Sequence, residues 1–186
     1  MKSRKARVPR PKQLIGMTDL VDFPDLDLFE VGAKIDTGAY TSALHCKDVR
    51  LVRTGDCARL SFRLVYPGTA VPGTGPAPAL PVREGSVDSV DHDGVVNERS
   101  RRFYSADFTQ RVIRNSFGVA EKRYVIRTRI VLFGRVIRAE FTLADRERMR
   151  YPVLLGRKLL RNRFIVDVTQ KNLSHQAKLT GEKGKD

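Results

Sequence analysis

The sequence predicts a mainly β domain with one short helix, and three observations support this fold class. Apolar and polar residues alternate through residues 59–66, which is typical of a strand with one buried face. The same alternation runs through residues 123–143 and is interrupted only by Phe133-Gly134-Arg135, which predicts a β-hairpin. Good helix formers follow Gly156 at residues 157–162, so one short helix is expected there.

Along the chain, one folded body is expected between two tails. Residues 1–14 are rich in lysine and arginine and predict a disordered basic tail, and residues 171–186 predict a polar tail. The body, residues 15–170, contains an insertion near residues 67–100. Proline and glycine are so frequent at its start that a central strand or a helix is excluded there.

The composition indicates a single small domain with a basic surface. The 186 residues are 41% hydrophobic, which is enough for one core of ordinary size. There are 35 lysines and arginines and 21 aspartates and glutamates, so the formal charge is 35 − 21 = +14. Such an excess attracts nucleic acid, ribosomes and anionic membranes without specificity.

Hydropathy and cysteine usage predict a cytoplasmic protein without a membrane partner. No apolar run approaches the roughly 20 residues of a membrane span. The N-terminus lacks the apolar run of a signal peptide. The two cysteines, Cys46 and Cys57, are too few for a disulfide framework, which favours a reducing compartment.

The first candidate functional motif is Asp36-Thr37-Gly38-Ala39. Apolar residues alternate with others before it, so the strand places Asp36 on the face opposite its apolar anchors. Gly38 permits a sharp turn in which backbone N–H groups approach the Asp36 oxygens and favour the ionised carboxylate. Thr37 can fix the turn or bridge to a partner through its hydroxyl. Taken alone, the triplet favours ordinary turn chemistry.

The second motif is Val153-Leu154-Leu155-Gly156-Arg157. Its apolar residues predict a strand that crosses the core and enters the helix through Gly156. Gly156 lets another backbone segment pass closely, and Arg157 requires an acidic or carbonyl partner at the edge of the core. Taken alone, this segment predicts only a buried strand followed by a helix.

The two motifs lie about 120 residues apart, and in this order they resemble the retropepsin-like aspartic peptidases. The resemblance is strongest to the bacterial and archaeal family named ATP-dependent zinc proteases. It covers most of residues 15–168, without the insertion. The segments that carry it are residues 33–45, 121–123, 141–146 and 149–157.

The resemblance implies a closed, bilobal β-barrel in which each chain supplies one catalytic aspartate, here Asp36. The chain has one Asp-Thr-Gly and too little sequence for a second lobe, so a peptidase of this kind would be a homodimer. Two Asp36 carboxyl groups would share a proton and activate a water that hydrolyses a peptide bond. Thr37-Gly38-Ala39 would support the turn and the dimer axis, and Gly156-Arg157 the packing beneath it.

The resemblance also implies a flap hairpin over the substrate, between about residues 111 and 127, with Ser116-Phe117-Gly118 as its tip. This tip has one glycine, a departure from the glycine-rich flaps of retroviral relatives. Tyr40 is a second departure, because those relatives tend to carry an acidic residue there that pairs with the arginine of the second motif. Arg157 therefore needs another partner, and Asp145 and Glu147 are the candidates.

The name of the resembling family implies zinc and ATP, but the sequence supports neither site. The residues that could bind zinc are His45, Cys46, Cys57, Asp91, His92 and Asp93. They form no His-Glu-x-x-His or Cys-x-x-Cys pattern, and adjacent residues on a strand point to opposite faces. The chain also lacks Gly-x-x-x-x-Gly-Lys-Ser/Thr and Gly-x-Ser-x-Gly motifs. We therefore expect no metal, no cofactor, and no serine or cysteine nucleophile.

Three functions are compatible with these patterns, and we favour the first, a homodimeric aspartic endopeptidase acting on a peptide or protein. The second is a retropepsin-fold binding or regulatory module with little hydrolysis, partnering an ATP-grasp ligase, with which members of the resembling family are associated. The third is RNA or ribosome binding through strand arginines. These arginines are Arg123, Arg127, Arg129, Arg135 and Arg138. Their strands lack the interleaved aromatic residues of common RNA-binding sheets.

Overall fold

The structure is a computed structural model of the chain and describes residues 11–55, 57–67, 98–114 and 120–181. Residues 1–10 of the first tail, residues 182–186 of the second and most of the insertion near residues 67–100 lie outside these ranges. Twelve strands and two α-helices form within the described ranges. The strands are β1 Gln13–Ile15, β2 Thr18–Phe23, β3 Leu28–Asp36, β4 Ser42–His45, β5 Lys47–Thr54, β6 Cys57–Pro67, β7 Glu98–Ser105, β8 Phe108–Arg114, β9 Ala120–Leu132, β10 Arg135–Ala144, β11 Val153–Gly156 and β12 Phe164–Val166, and the helices are α1 Arg157–Leu160 and α2 Leu173–Thr180.

The largest sheet has seven strands, and six of them pair in a ring. The order of the seven strands is β10-β4-β11-β3-β2-β9-β8. Strand β10 also pairs with β9, which completes the ring and leaves β8 outside it. One residue pair, Asp22 with Val131, joins β2 to β9. Strands therefore dominate the described fold, and the predicted mainly β class is confirmed.

The hydrophobic core is built by strands of this ring together with β6 and α1. Strand β3 buries Ala33 and Ile35 on one face and turns Asp36 to the other, as the alternation predicts. Phe23 and Phe141 pack edge to face, with ring centroids 5.2 Å apart. The apolar anchors of β3 therefore fix the end of the strand from which Asp36 projects.

Strands β9 and β10 form the hairpin that the sequence predicts for residues 123–143. They pair antiparallel up to Leu132 and Arg135. Phe133 and Gly134 make the turn with φ values of 51° and 68°, a combination that suits a two-residue hairpin loop. The prediction is confirmed, with a turn shorter than Phe133-Gly134-Arg135 because Arg135 already pairs with Leu132.

A second sheet, β5-β6-β7, contains the strand predicted at residues 59–66. Leu60, Phe62 and Leu64 are buried, as the alternation predicts. Strand β7 begins at Glu98, at the end of the segment assigned to the insertion. Strands β1 and β12 form a separate parallel pair.

The sequence predicts one short helix, whereas the described residues contain two. α1 follows Gly156 directly, and α2 lies in the segment 171–186 that composition assigns to a polar tail. The first N–H groups of α2, from Ser174 and His175, donate to the Asp19 carboxylate at 2.9 and 3.1 Å. The sequence gives no sign of α2 because its cap lies 155 residues before Ser174.

In the part of the chain that the structure describes, no helix combines the length and the apolar character that crossing a bilayer requires.

Candidate active site

The Asp36 side chain is held by the turn that it begins. Asp36 is the last residue of β3 and is partly buried. Its Oδ1 accepts hydrogen bonds from the backbone N–H groups of Gly38 (2.8 Å) and Ala39 (3.0 Å). Within the described ranges, the Asp36 side chain makes no other hydrogen bond or ion pair. One carboxylate oxygen is thus fixed, and the other can bind a water molecule or a second carboxyl group.

The second motif meets this turn through neighbouring strands. β11 lies between β3 and β4, parallel to β3 and antiparallel to β4. The N–H of Arg157 donates to the Ala39 carbonyl at 2.9 Å, and the N–H of Lys158 donates to the Tyr40 carbonyl at 3.0 Å. These bonds satisfy N–H groups that lack partners at a helix start. The two motifs therefore form one structural unit.

A Cβ would be crowded at both motif glycines, severely at Gly156 and only mildly at Gly38. Gly156 pairs with Asp36, and its N–H donates to the Ser42 hydroxyl at 3.1 Å. A Cβ on Gly156 would lie 2.6 Å from the Thr41 carbonyl oxygen. Gly38 has no positive φ, but a Cβ there would lie 3.2 Å from the Asp36 Oδ1. The sequence predicts a conformational role for Gly38, whereas the structure gives it a steric one.

Three residues of the motifs and the adjacent Tyr40 lie at the surface. They are Thr37, Gly38, Tyr40 and Arg157. Within the described ranges, Arg157 makes no ion pair. Asp145 lies instead 3.6 Å from the His45 ring nitrogen, and Glu147 pairs with Lys47 at 2.7 Å. The expectation that Asp145 or Glu147 pairs with Arg157 is therefore wrong.

Strands β8 and β9 pair as the hairpin that the resemblance assigns to a flap. The expected tip, Ser116-Phe117-Gly118, lies outside the described residues. Midway along β8, Arg111 donates to Glu140 of β10 at 2.7 and 3.3 Å, and Lys158 of α1 donates to the same carboxylate at 2.6 Å. These hydrogen bonds lower the Glu140 pKa to about 2. Glu140, which no motif indicated, thus links the hairpin to the helix beside the Asp36 turn.

His45 and Cys46 are both buried. The His45 Nδ1 accepts a hydrogen bond from the Arg146 N–H at 2.8 Å, and burial lowers the His45 pKa, so the ring is neutral. Burial raises the pKa of the Cys46 thiol to about 12, which keeps it protonated. No three His, Cys, Asp or Glu side chains of the described residues are grouped as metal ligands. Residues 91–93 lie outside the described ranges.

Comparison with known proteins places this chain in a family. The model of the RimB-like family, described as retropepsin-like aspartic endopeptidase RimB, matches residues 81–177, just over half of the chain. The chain belongs to the RimB-like family. The matched range contains Gly156-Arg157 and begins after Asp36, whose turn is joined to it by the hydrogen bonds to α1.

Curated relatives of this RimB-like chain are longer proteins named "Probable alpha-L-glutamate ligase". The protein of Desulfotalea psychrophila is 30% identical over 156 residues, which are 84% of this chain and 28% of the relative. The protein of Shewanella pealeana is 30% identical over 161 residues, 86% of this chain and 29% of the relative. The chain thus spans less than a third of the length of the curated relatives it matches.

A solved structure shares the fold. The crystal structure of Lpg0085, a Legionella pneumophila protein of unknown function, aligns with a TM-score of 0.56 at 19% identity. The alignment covers 88% of this chain and 99% of that protein.

Two arginines contribute positive charge near Asp36 in this RimB-like site. Arg146 interacts electrostatically with Asp36, and Arg123 with Arg146. Arg146, between β10 and β11, is partly buried, and its Nε is buried without a hydrogen-bond partner among the described residues. Burial and the charge of Arg123 lower the Arg146 pKa, and the charge of Asp36 opposes them. Arg123 is held by Glu121 through Nε at 2.9 Å and Nη2 at 2.7 Å. Sequence patterns gave neither residue a role at Asp36.

Among the described residues, at least three of the five strand arginines considered for RNA binding pair with carboxylates. The pairs are Arg123 with Glu121, Arg127 with Asp107 and Glu140, and Arg129 with Asp25. Arg138 is exposed and Arg135 is partly buried. Intramolecular pairing reduces the charge that these strands offer to phosphates.

Proposed function

We propose that this RimB-like chain is one half of a homodimeric aspartic endopeptidase. The observation that carries the proposal is the geometry of Asp36, whose Oδ1 is held by two backbone N–H groups while no hydrogen bond from the described residues engages its Oδ2. A carboxylate fixed in this way is oriented for chemistry without a neighbouring side chain. In the proposed assembly the strand ring is the body of a closed β-barrel, and each copy supplies one Asp36.

The proposed mechanism follows from two carboxyl groups about 3 Å apart, which share one proton because like charges that close cannot both ionise. The ionised Asp36 takes a proton from a water molecule while the water oxygen attacks the peptide carbonyl carbon. The protonated Asp36 donates a hydrogen bond to the carbonyl oxygen. When the C–N bond breaks, the dyad returns a proton to the leaving amine. The scheme uses neither a metal ion nor ATP.

In this proposal the surrounding residues support the dyad. Thr37 is exposed and lies where a second copy can approach the turn, so we assign it to the dimer axis. Gly38-Ala39 supplies the N–H groups that orient Asp36, and Gly156-Arg157 packs beneath them. The β8–β9 hairpin is the proposed flap.

The proposed substrate is an acidic peptide, in which glutamate is the main residue. The curated relatives are named as glutamate ligases, and a peptidase acting on glutamate peptides would reverse bond formation of that kind. The formal charge of +14 favours an acidic ligand. Since the match covers 28% of the relative, we further propose that this chain acts together with an ATP-grasp ligase in the cytoplasm.

The test is cleavage of a glutamate-rich peptide by the wild-type chain and by Asp36→Asn. We expect cleavage to fall by about 1,000-fold or more in Asp36→Asn, because the variant lacks the ionisable base. Thermal unfolding checks that the fold is kept, and Asp27→Asn, an exposed aspartate paired with Arg101, serves as the matched control. Full activity in Asp36→Asn would refute the proposal.

A binding or regulatory module is the second candidate, and the relatives' names favour it. A chain that resembles part of a ligase can bind the ligase or its product without hydrolysis. This candidate predicts stoichiometric binding of a glutamate-rich peptide with no cleavage by purified dimer between pH 4 and 8. RNA binding that falls steeply with salt and is unaffected by Asp36→Asn would instead favour the nucleic-acid function.

A further inference from the structure

The loop between β10 and β11 approaches the face of β3 that ends in Asp36, at the Gly32 end. Gly32, Lys34 and Asp36 share this face because strand side chains alternate. The Tyr151 ring lies 3.6 Å from the position that a Cβ on Gly32 would take. Gly32 and Asp36 are four residues apart, which is about 13 Å along a strand. An extended peptide bound at Asp36 would need about four residues to reach Tyr151.

This face is cationic. Lys34 is exposed, and the Arg150 guanidinium lies over the Tyr151 ring, 5.5 Å from its centroid. Arg146 starts the loop, with its backbone N–H fixed on the His45 ring. The neighbours of Arg146 in sequence form no ion pair with it among the described residues, since Glu147 pairs with Lys47 and the Asp145 Oδ1 accepts the Glu147 N–H.

The Arg146 side chain has no hydrogen-bond acceptor among the described residues. Its Nε is buried without a hydrogen-bond partner in the described part of the chain, and a buried donor left unpaired is costly. The Arg123 charge repels the Arg146 guanidinium, whereas the Asp36 carboxylate attracts it. Both residues therefore lie within electrostatic range of Arg146. Because Nε is buried, a carboxylate ligand would bind the two Nη groups, which the planar guanidinium presents as a fork.

We propose that Arg146 is a specificity-determining residue that binds a carboxylate side chain of the substrate, within four residues of the bond that faces Asp36. The proposal rests on the proposed peptidase function for the position of that bond. It assigns the preference for glutamate to one side chain rather than to the net charge of the protein.

The test compares the binding of two labelled octapeptides, one alternating glutamate with alanine and one alternating glutamine with alanine. Binding is measured by fluorescence anisotropy on the full chain carrying Asp36→Asn, so that hydrolysis does not interfere. We expect Arg146→Gln to reduce the preference for the glutamate peptide by about 10-fold or more. Arg148→Gln removes the same charge from an exposed position in the same loop and should change the preference by less than about twofold.

Equal weakening of both peptides by Arg146→Gln, or an equal effect of Arg148→Gln, would overturn the assignment. If Arg146→Gln unfolds, Arg146→Lys replaces it, because lysine keeps the charge and loses the planar fork. We expect an intermediate preference that shrinks with added salt. An unchanged preference in Arg146→Lys that is also independent of salt would contradict the proposal.

The two proposals fail separately. If wild-type protein cleaves neither peptide but Arg146 still sets the binding preference, hydrolysis is refuted and the role of Arg146 stands. If wild-type protein cleaves both peptides and Arg146→Gln leaves their ratio of kcat/KM unchanged, the peptidase stands and the role of Arg146 is refuted.

Discussion

Because Gly156 has no side chain, the backbone of β11 can lie close to the backbone at Tyr40 and Thr41. The residue pairs with Asp36 on one side and faces the Tyr40 and Thr41 carbonyls on the other. The glycine was recognisable from sequence as a site of close approach. Which backbone approaches it depends on the position of β11 between β3 and β4.

We expect Gly156→Ala to destabilise the fold by about 1–3 kcal/mol, because the new Cβ would lie 2.6 Å from a backbone oxygen that must move with the Asp36 turn. Chemical denaturation measures the change. Gly32→Ala is the matched control, since its Cβ would meet only a side-chain atom at an ordinary 3.6 Å. Similar losses in both variants would show that close packing at Gly156 is not the cause.

At the scale of elements, Glu140 couples the proposed flap to the helix of the second motif. Arg111 comes from β8, Lys158 from α1, and Glu140 itself from β10. The Glu140 side chain is only 15% exposed, so its charge depends on these partners. Three separate segments are therefore held by one carboxylate.

We expect Glu140→Gln to lower the free energy of unfolding by about 1–2 kcal/mol at neutral pH, a value reduced from the full linkage because both cations are partly exposed. The Glu140 pKa falls from 4.5 to about 2 on folding, so its contribution is present above pH 4.5 and is lost as the pH falls towards 2. Urea denaturation of both proteins across this pH range measures the difference.

The difference between wild type and Glu140→Gln should therefore shrink as the pH falls. Glu121→Gln removes a more exposed carboxylate that also pairs with an arginine, and it should cost less than about 0.5 kcal/mol. A pH-independent difference for Glu140→Gln would argue that shape, not charge, holds the hairpin.

At the scale of the whole molecule, one chain holds one Asp36, and the proposed site needs two. We expect dimers whose activity depends on both copies. When wild-type and Asp36→Asn chains are mixed in equal amounts and allowed to exchange, random pairing leaves about one quarter of the dimers with two intact aspartates. Activity per total protein should then fall to about one quarter of the wild-type value.

Size-exclusion chromatography with light scattering checks that the mixture is dimeric and that exchange is complete. Activity of one half, equal to the wild-type fraction, would mean that each chain acts alone. Such a result would exclude a site shared between two copies.

Local patterns determined much of this fold. Alternation identifies β3, β6 and the β9–β10 hairpin because a strand buries every second side chain, a relation contained within a few residues. Both motifs, Asp36-Thr37-Gly38 and Gly156-Arg157, could also be recognised from a few neighbouring residues. A turn and a close approach of two backbone segments both favour particular residue types. The family resemblance rests on the same segments and is confirmed.

The tertiary structure decided which distant residues meet. Asp19 caps α2 from 155 residues away, so composition could not distinguish that helix from a tail. Glu147 pairs with Lys47 instead of Arg157, the Asp145 Oδ1 accepts the Glu147 N–H, and Arg146 acts near an aspartate 110 residues before it. These contacts depend on strand order and side-chain burial, which no short pattern encodes. The sequence by itself thus supplied the two motifs, and the packing of β11 between β3 and β4 made them one candidate site.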